Sequence, residues 1–442
     1  MPVRVVACRA MLRLRDVIRS LSHIVALSSL VLGCASEASG GGEDAALRRA
    51  RDLLKRTILI DGHNDLPWAI REAKGAPCDV VAYDLRKAAP GHTDLARIAE
   101  GGLGAQFWSV YIPGEHKANG WAKEQLEQID IARRMIALYP DKLGLALSAD
   151  DVERVFKSGR VASLIGMEGG HAIESSLGAL RAYYDLGVRY MTLTHNVTLD
   201  WADAANDAAK HDGLTRFGEE VVREMNRLGM LVDLAHTSPR TMDDALRVSE
   251  APVIFSHAAA RAVCDVPRNV PDDILKRLPK NGGVVMVIFE SSFVSQEAAT
   301  ARAPMRAEYR RRSKDVTDDA ERQRIYDEVR ASFTIPRATV AQVADHIEHI
   351  RKVAGVDHVG IGSDFDGGID PPTGLEDVSK FPNLFAELIR RGWSDADLEK
   401  LAGKNVLRAM REAEATARRL QASRPASTAT IEMLDRAPAP AH

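Results

Sequence analysis

Cysteine is scarce in this 442-residue sequence: Cys8 and Cys34 fall in the first 34 positions, and the body holds only Cys78 and Cys264. Two cysteines do not make a disulfide framework, and without a CxxC pair a thiolate zinc site has no support. No charge sign dominates. The formal net charge is −3, with basic residues interleaved among acidic ones, which speaks against an electrostatic nucleic-acid binder. Long apolar runs are also missing; the stretch IVALSSLVLGC, residues 24–34, is well short of the roughly 20 residues needed to span a bilayer. No glycine-rich phosphate fingerprint follows the first strand-like run, which argues against a dinucleotide-binding open sheet. What is present, 45% hydrophobic and 27% charged residues, is ordinary soluble globular composition. The length allows two or three domains, or one large α/β barrel with insertions.

The N-terminus differs from the body. Arg4, Arg9, Arg13, Arg15 and Arg19 precede the short apolar stretch, and the small, flexible segment ASEASGGGED follows it. That order is expected of a secretory signal rather than a membrane span. Val31–Cys34, VLGC, resembles a bacterial lipoprotein box whose cysteine becomes the lipidated first residue; the alternative is a plain cleaved signal with an incidental Cys34. Translation starts at Met1 or, giving a more compact signal, at Met11. The expected organisation is a signal over 1–34, a flexible linker over 35–45, a catalytic domain over 46–415 and a disordered Ala-, Pro- and Ser-rich tail over 416–442. The expected location is the bacterial cell envelope, at the periplasmic or outer surface of a membrane, held by the lipid alone.

Eight apolar, β-branched runs recur through the body, at 57–63, 104–112, 161–169, 189–196, 230–236, 252–258, 283–289 and 358–365. Amphipathic stretches such as 213–229 and 339–355 lie between them, each ending in glycine, a common helix stop. Continuous apolar strands alternating with helices imply parallel strands covered on both faces. Eight such units predict a (β/α)8 TIM barrel. The charge-rich segment 290–337 after the seventh run predicts a helix or hairpin inserted over the barrel mouth, as a lid, a dimer contact or a solvated decoration.

Polar residues close many of these runs, where barrel active sites are built. In LIDGHNDLPW, His63 and Asp65 are two apart and so share a side of the strand. Glu168, His195, His236, His257 and Asp364 end the third, fourth, fifth, sixth and eighth runs. One strand-end histidine is usually just a hydrogen-bonded polar residue. Seven titratable groups at equivalent depth cost several kcal/mol to bury unless they pair or bind metal. A His, Asp and Glu donor set without cysteine suits Zn2+, with Mn2+ or Co2+ as substitutes. His63, Asp65, His236 and His257 would be terminal ligands, and Glu168 could bridge two ions about 3.5–4 Å apart that clamp a water acidic enough to supply hydroxide. Asp364 could take and pass on a proton. His195 could donate to an oxyanion or hold a substrate carboxylate, and Arg268 in the next loop suits a carboxylate too. Asp61 could orient a ligand. His171 reads as loop support, His346 and His349 as surface residues, Asp366 as a loop acid, and Trp201, Asp203 and Tyr111 as candidate pocket lining.

The motifs DGHNDLPW, EGGHAIESSLGALRAYYDLGVRYMTLTHN, WADA, VDLAHTS, FSHAAARAVC, RNVPDD and GSDFDGG occur in order over roughly residues 57–410. Together they resemble the membrane (renal-type) dipeptidases, the M19 metallopeptidases of the amidohydrolase-like barrels. The resemblance implies two zinc ions, one held by His63 and Asp65, the other by His236 and His257, with Glu168 between them. It implies substrate binding by His195 and Arg268, proton transfer by Asp364, cleavage of free dipeptides with tolerance of a C-terminal D-residue, and often a homodimer. WADAAND departs from the commoner WADN and puts side-chain preference in question. Two rival readings are a lactone, N-acyl amino acid or phosphoester hydrolase on the same barrel, and a peptide-binding lipoprotein without metal.

Overall fold

The computed structural model describes residues 44–115, 120–316 and 318–435; the expected signal and Cys34 lie outside them, as does the linker up to residue 43. Among the described residues nine strands form: β1 Leu59–Asn64, β2 Leu103–Ser109, β3 Leu143–Leu145, β4 Val161–Glu168, β5 Val188–Thr192, β6 Leu231–Asp233, β7 Val253–Ala258, β8 Val284–Val287 and β9 Val359–Ile361. Eight of them close a parallel barrel in the order β1, β2, β4, β5, β6, β7, β8, β9, with Asp61 and Ile361 in register at the seam. These are the eight expected strands. β3 was not foreseen. It pairs with the start of β4, on the edge that β5 takes over further along, and so lies outside the barrel closure.

The strands read as unbroken apolar runs because both of their faces are covered. Ile60, Phe107, Leu164, Tyr190, Ile254 and Met286 fill the barrel, while a larger cluster packs the helices onto its outside. The helix Arg216–Leu228 starts at a Thr215 cap and stops at Gly229 in the left-handed region. Val340–Ala354 starts with a capping box between Thr339 and Gln342. Both fall within the stretches read as helical.

After β8 come a short helix, Ser291–Val294, and two longer ones, Gln296–Ser313 and Asp319–Ala331. The expected insertion is therefore a helical hairpin, with a small core of its own around Met305, Ile325 and Val329. Arg302 ties it down, donating to Glu290 at 2.7 Å and to Asp370 at 3.1 Å.

The tail needs correcting. The last long helix runs from Asn405 to Ser423, and a short one follows at Ile431–Leu434. Ile431 sits in the main apolar cluster, Arg181 donates to the Ser427 carbonyl, and Asp435 accepts from the Phe217 amide. Residues 416–435 are thus part of the domain. Among the described residues, no helix is long and apolar enough to cross a membrane.

His346 also departs from expectation. It is fully buried rather than on the surface, accepting from the Ala260 amide through Nδ1 at 3.0 Å and donating from Nε2 to the Val294 carbonyl at 2.9 Å. It thereby pins the loop after β7 to the root of the insertion. Burial pushes its pKa from 6.5 to about 4. The native imidazole stays neutral while the unfolded chain takes a proton below about 6.5, so stability is unaffected above that pH and falls as pH drops toward 4. The gap corresponds to about 3 kcal/mol. In His346→Asn an amide oxygen replaces Nδ1 as acceptor, and denaturant titrations should show a shallower fall from pH 6.5 to 4 than in wild type. Parallel pH profiles would contradict this.

Candidate metal centre

The side chains expected at the site converge above the carboxyl ends of the barrel strands. His63 is the last residue but one of β1, Glu168 ends β4, and His257 lies in β7. Asp65 follows β1 at the start of the helix Leu66–Arg71, which has Pro67 in its first turn, and its side chain makes no capping bond. His195, His236 and Asp364 stand three residues beyond the ends of β5, β6 and β9. His236 and Asp364 have φ of +64° and +68°, in the left-handed region that non-glycine residues seldom occupy. Local strain of this kind concentrates at functional sites, where it aims a side chain.

Glu168 is the hub. Its Oε1 lies 3.0 Å from His236 Nε2 and 3.3 Å from His257 Nε2, and its Oε2 lies 3.4 Å from His63 Nε2. Asp65 Oδ2 lies 3.4 Å from the same His63 nitrogen. These five side chains form an inner ring. His195 Nε2, 4.0 Å from Glu168, and Asp364 Oδ1, 3.9 Å from His63, stand further out.

Tautomers can be assigned from the groups behind the ring. The Tyr190 hydroxyl donates to the Gly62 carbonyl at 3.2 Å, so His63 Nδ1 donates to Tyr190 at 2.7 Å and its Nε2 carries a lone pair. The Ser256 hydroxyl donates to Asp233 at 2.6 Å, so His257 Nδ1 donates to Ser256 at 2.8 Å and its Nε2 is likewise unprotonated. This is the second layer that metal-binding imidazoles need. Gly166 makes room for it, because a Cβ there would strike the Tyr190 ring. Asp61, read as a ligand-orienting acid, accepts from the His63 amide at 3.5 Å and from the Ser363 amide and hydroxyl at 2.6 and 2.7 Å, and so laces β1 to the loop after β9.

His236 Nε2 and His257 Nε2 are 2.9 Å apart with Glu168 Oε1 beside both. Two imidazole nitrogens and a carboxylate oxygen gathered this closely offer a cation a ready set of ligands. His63 Nε2 and Asp65 Oδ1 are buried with no hydrogen-bond partner, as expected of ligand atoms. Three groups of donor atoms that could hold a metal overlap here: His63 with Glu168 and His257, Glu168 with His195 and His236, and His63 with Asp65 and Asp364. The residues fit a metal centre.

Electrostatics agree. Burial opposes ionisation of Glu168, but His63 and His195, with His236 and His257 close by, hold its carboxyl well below the usual range. Burial, reinforced by Arg268 and His195, holds His236 well below the usual imidazole value; burial and His63 do the same to His257. Burial would also lower His63, but Tyr190, Glu168 and Asp65 raise it well above the usual imidazole value. Burial, with Asp65 and Glu168 nearby, raises Asp364 well above the carboxylate range.

Arg268 is buried at the rim. It reaches the His257 carbonyl through Nη2 at 3.4 Å, and its Nη1 has no partner. Tyr111 lines the site, its ring 4.8 Å from that of His195. Trp201 and Asp203 do not: Trp201 is a core residue packed on Phe217, and Asp203 accepts from the amides of Lys210, His211 and Gly213. His171 supports its loop through a bond to the Ile112 carbonyl. Asp366 is buried, accepting from the His92 amide at 2.7 Å while its own amide donates to His92 Nδ1. His349 pairs with Asp272.

The sequence profile described as membrane dipeptidase (Peptidase family M19) matches residues 47–424. The chain belongs to the membrane dipeptidase family. A relative, Dipeptidase verJ of Clonostachys rogersoniana, is 42% identical over 382 residues, covering 84% of this chain and 88% of that one. Among solved structures, the probable dipeptidase PvdM from Pseudomonas aeruginosa is 26% identical with a TM-score of 0.73, over 84% of this chain and 99% of that one. A Rhodobacter sphaeroides metallopeptidase, liganded with a phosphinate mimic of the dipeptide L-Ala-D-Ala, shares the fold at 24% identity and a TM-score of 0.65, over 81% of this chain and 99% of that one. This M19 enzyme is therefore a metallo-dipeptidase, a hydrolase with a His, Asp and Glu metal cluster in a TIM barrel.

Proposed function

We propose that the enzyme is a binuclear zinc dipeptidase cleaving the peptide bond of free dipeptides and tolerating a D-residue at the C-terminal position. The observation that carries this reading is the position of Glu168, whose two oxygens face His236 and His257 on one side and His63 on the other. His63 and Asp65 would hold one ion, His236 and His257 the other, and Glu168 would bridge. Zinc bound there lowers the pKa of water toward neutrality and polarises the scissile carbonyl.

The chain's own groups do the rest. Arg268, with an open guanidinium edge, binds the substrate α-carboxylate. His195, at the outer edge of the ring, donates to the carbonyl oxygen as it gains charge. Asp364 takes a proton from the attacking water and delivers it to the leaving amine; burial next to two carboxylates favours its holding that proton. The same reading places the protein in the bacterial cell envelope with lipid on Cys34, which rests on the sequence of residues 1–34, and as a homodimer, which rests on family resemblance.

Amino-acid release from L-Ala-D-Ala and from its N-acetylated form, by zinc-loaded protein lacking residues 1–34, tests the activity. Cleavage of the free dipeptide alone is expected. Cleavage of both, or of the blocked form alone, would make the protein a broader acyl-amino-acid hydrolase.

A further inference from the structure

Phe293, in the short helix that roots the insertion, carries two guanidinium groups. The Arg268 guanidinium carbon lies 5.5 Å from the ring centroid and that of Arg306 lies 5.4 Å from the same centroid. The Phe293 backbone is tied to this loop, because Asn269, next to Arg268, donates to the Phe293 carbonyl at 2.8 Å. Stacking on an aromatic face holds a planar guanidinium in a defined orientation and leaves its edge free for a carboxylate.

Arg306 is partly buried, and its guanidinium makes no hydrogen bond or ion pair among the described residues. Burial lowers its pKa, and the neighbouring cations Arg302 and Arg310 lower it further. The nearby acid is already committed. Glu290 accepts from Arg302, from the Ser292 amide and hydroxyl, and from the Asp370 amide. A partly buried cation beside other cations, its nearest acid bonded elsewhere, is an arrangement that an arriving anion relieves. Arg268, on the same ring, also has an open position: its Nη1 is without a hydrogen-bond partner. One carboxylate satisfies Arg268 and leaves Arg306 unmet.

We propose that Arg306 is a specificity residue that recognises a second carboxylate on the C-terminal residue of the substrate, making dipeptides with an acidic C-terminal residue the preferred class. This rests on the dipeptidase reading and on Arg268 taking the α-carboxylate. The insertion thus contributes to substrate choice, from an element outside the barrel strands.

The test is the ratio of kcat/KM for alanyl-aspartate to that for alanyl-asparagine, its neutral isostere, measured with zinc-loaded enzyme in whichever C-terminal configuration turns over faster. Wild type should favour aspartate by about tenfold, the scale of one charge-assisted pair. In Arg306→Gln the ratio should fall close to one, through a higher KM for the aspartyl substrate. Arg310→Gln, at an exposed position on the same helix, should keep the wild-type ratio. A general folding defect lowers both rates together and does not move the ratio. A wild-type ratio near one, or a ratio retained in Arg306→Gln, would overturn the proposal while hydrolysis of L-Ala-L-Ala leaves the dipeptidase reading intact. No hydrolysis of any of these dipeptides would remove both.

Discussion

Asp364→Asn is expected to lower kcat by roughly 10²–10⁴-fold, the span of a positioned proton carrier, with KM and metal content close to wild type. The substitution suits the position for a backbone reason. Asp364 has φ of +68°, and asparagine is among the few residues that tolerate the left-handed region. The loop is also held independently of the side chain: the Asp364 amide donates to the His63 carbonyl at 3.1 Å, and the Asp65 amide donates to the Phe365 carbonyl at 2.8 Å. Asparagine keeps the shape and cannot accept and release the proton. Asp364 stands outside the inner ring, so metal should remain. Metal analysis and steady-state kinetics on one preparation decide the matter. Turnover retained at the wild-type rate would remove Asp364 from proton transfer, and loss of metal would make it a ligand.

Glu168→Gln should do more. Glu168 is the one side chain whose oxygens approach both His63 and the His236–His257 pair. An amide keeps one carbonyl oxygen but turns an NH2 toward imidazole nitrogens that carry lone pairs, which satisfies them with protons in place of metal. The fold should survive, because that hydrogen bonding meets buried acceptors. Turnover should fall roughly 10³-fold or more, since nucleophile generation and carbonyl polarisation both depend on the centre. Kinetics of the variant with and without added zinc are the check. Near-normal turnover would mean that Glu168 is structural.

The parts legible in the sequence share one cause. Barrel strands buried on both faces leave unbroken apolar runs, and a site at their carboxyl ends leaves its polar residues at the ends of those runs. The eight barrel strands and the seven strand-end side chains were readable for that reason. β3 is three residues long, too short to show a period. The tail was misread from its Ala, Pro and Ser content, although Met410, Ala413, Ala417 and Leu420 recur at helical spacing and are buried in the helix Asn405–Ser423. His346 shared a face with Val343, Ile347 and Ile350, so its burial was also available. Tyr190, Ser256 and Asp233 were not, because within a strand they look like core, and their bonds to His63 and His257 join segments far apart in the chain. The pairing of Arg306 with Arg268 on Phe293 depends on how the insertion folds back, which no local pattern records.

The most direct measurement is zinc per chain, by atomic emission, alongside dipeptide turnover as chelated protein is reloaded. A shared Glu168 predicts two equivalents in wild type, full turnover only when both are bound, and fewer than two in Glu168→Gln. Full turnover with one equivalent or none would contradict the binuclear centre.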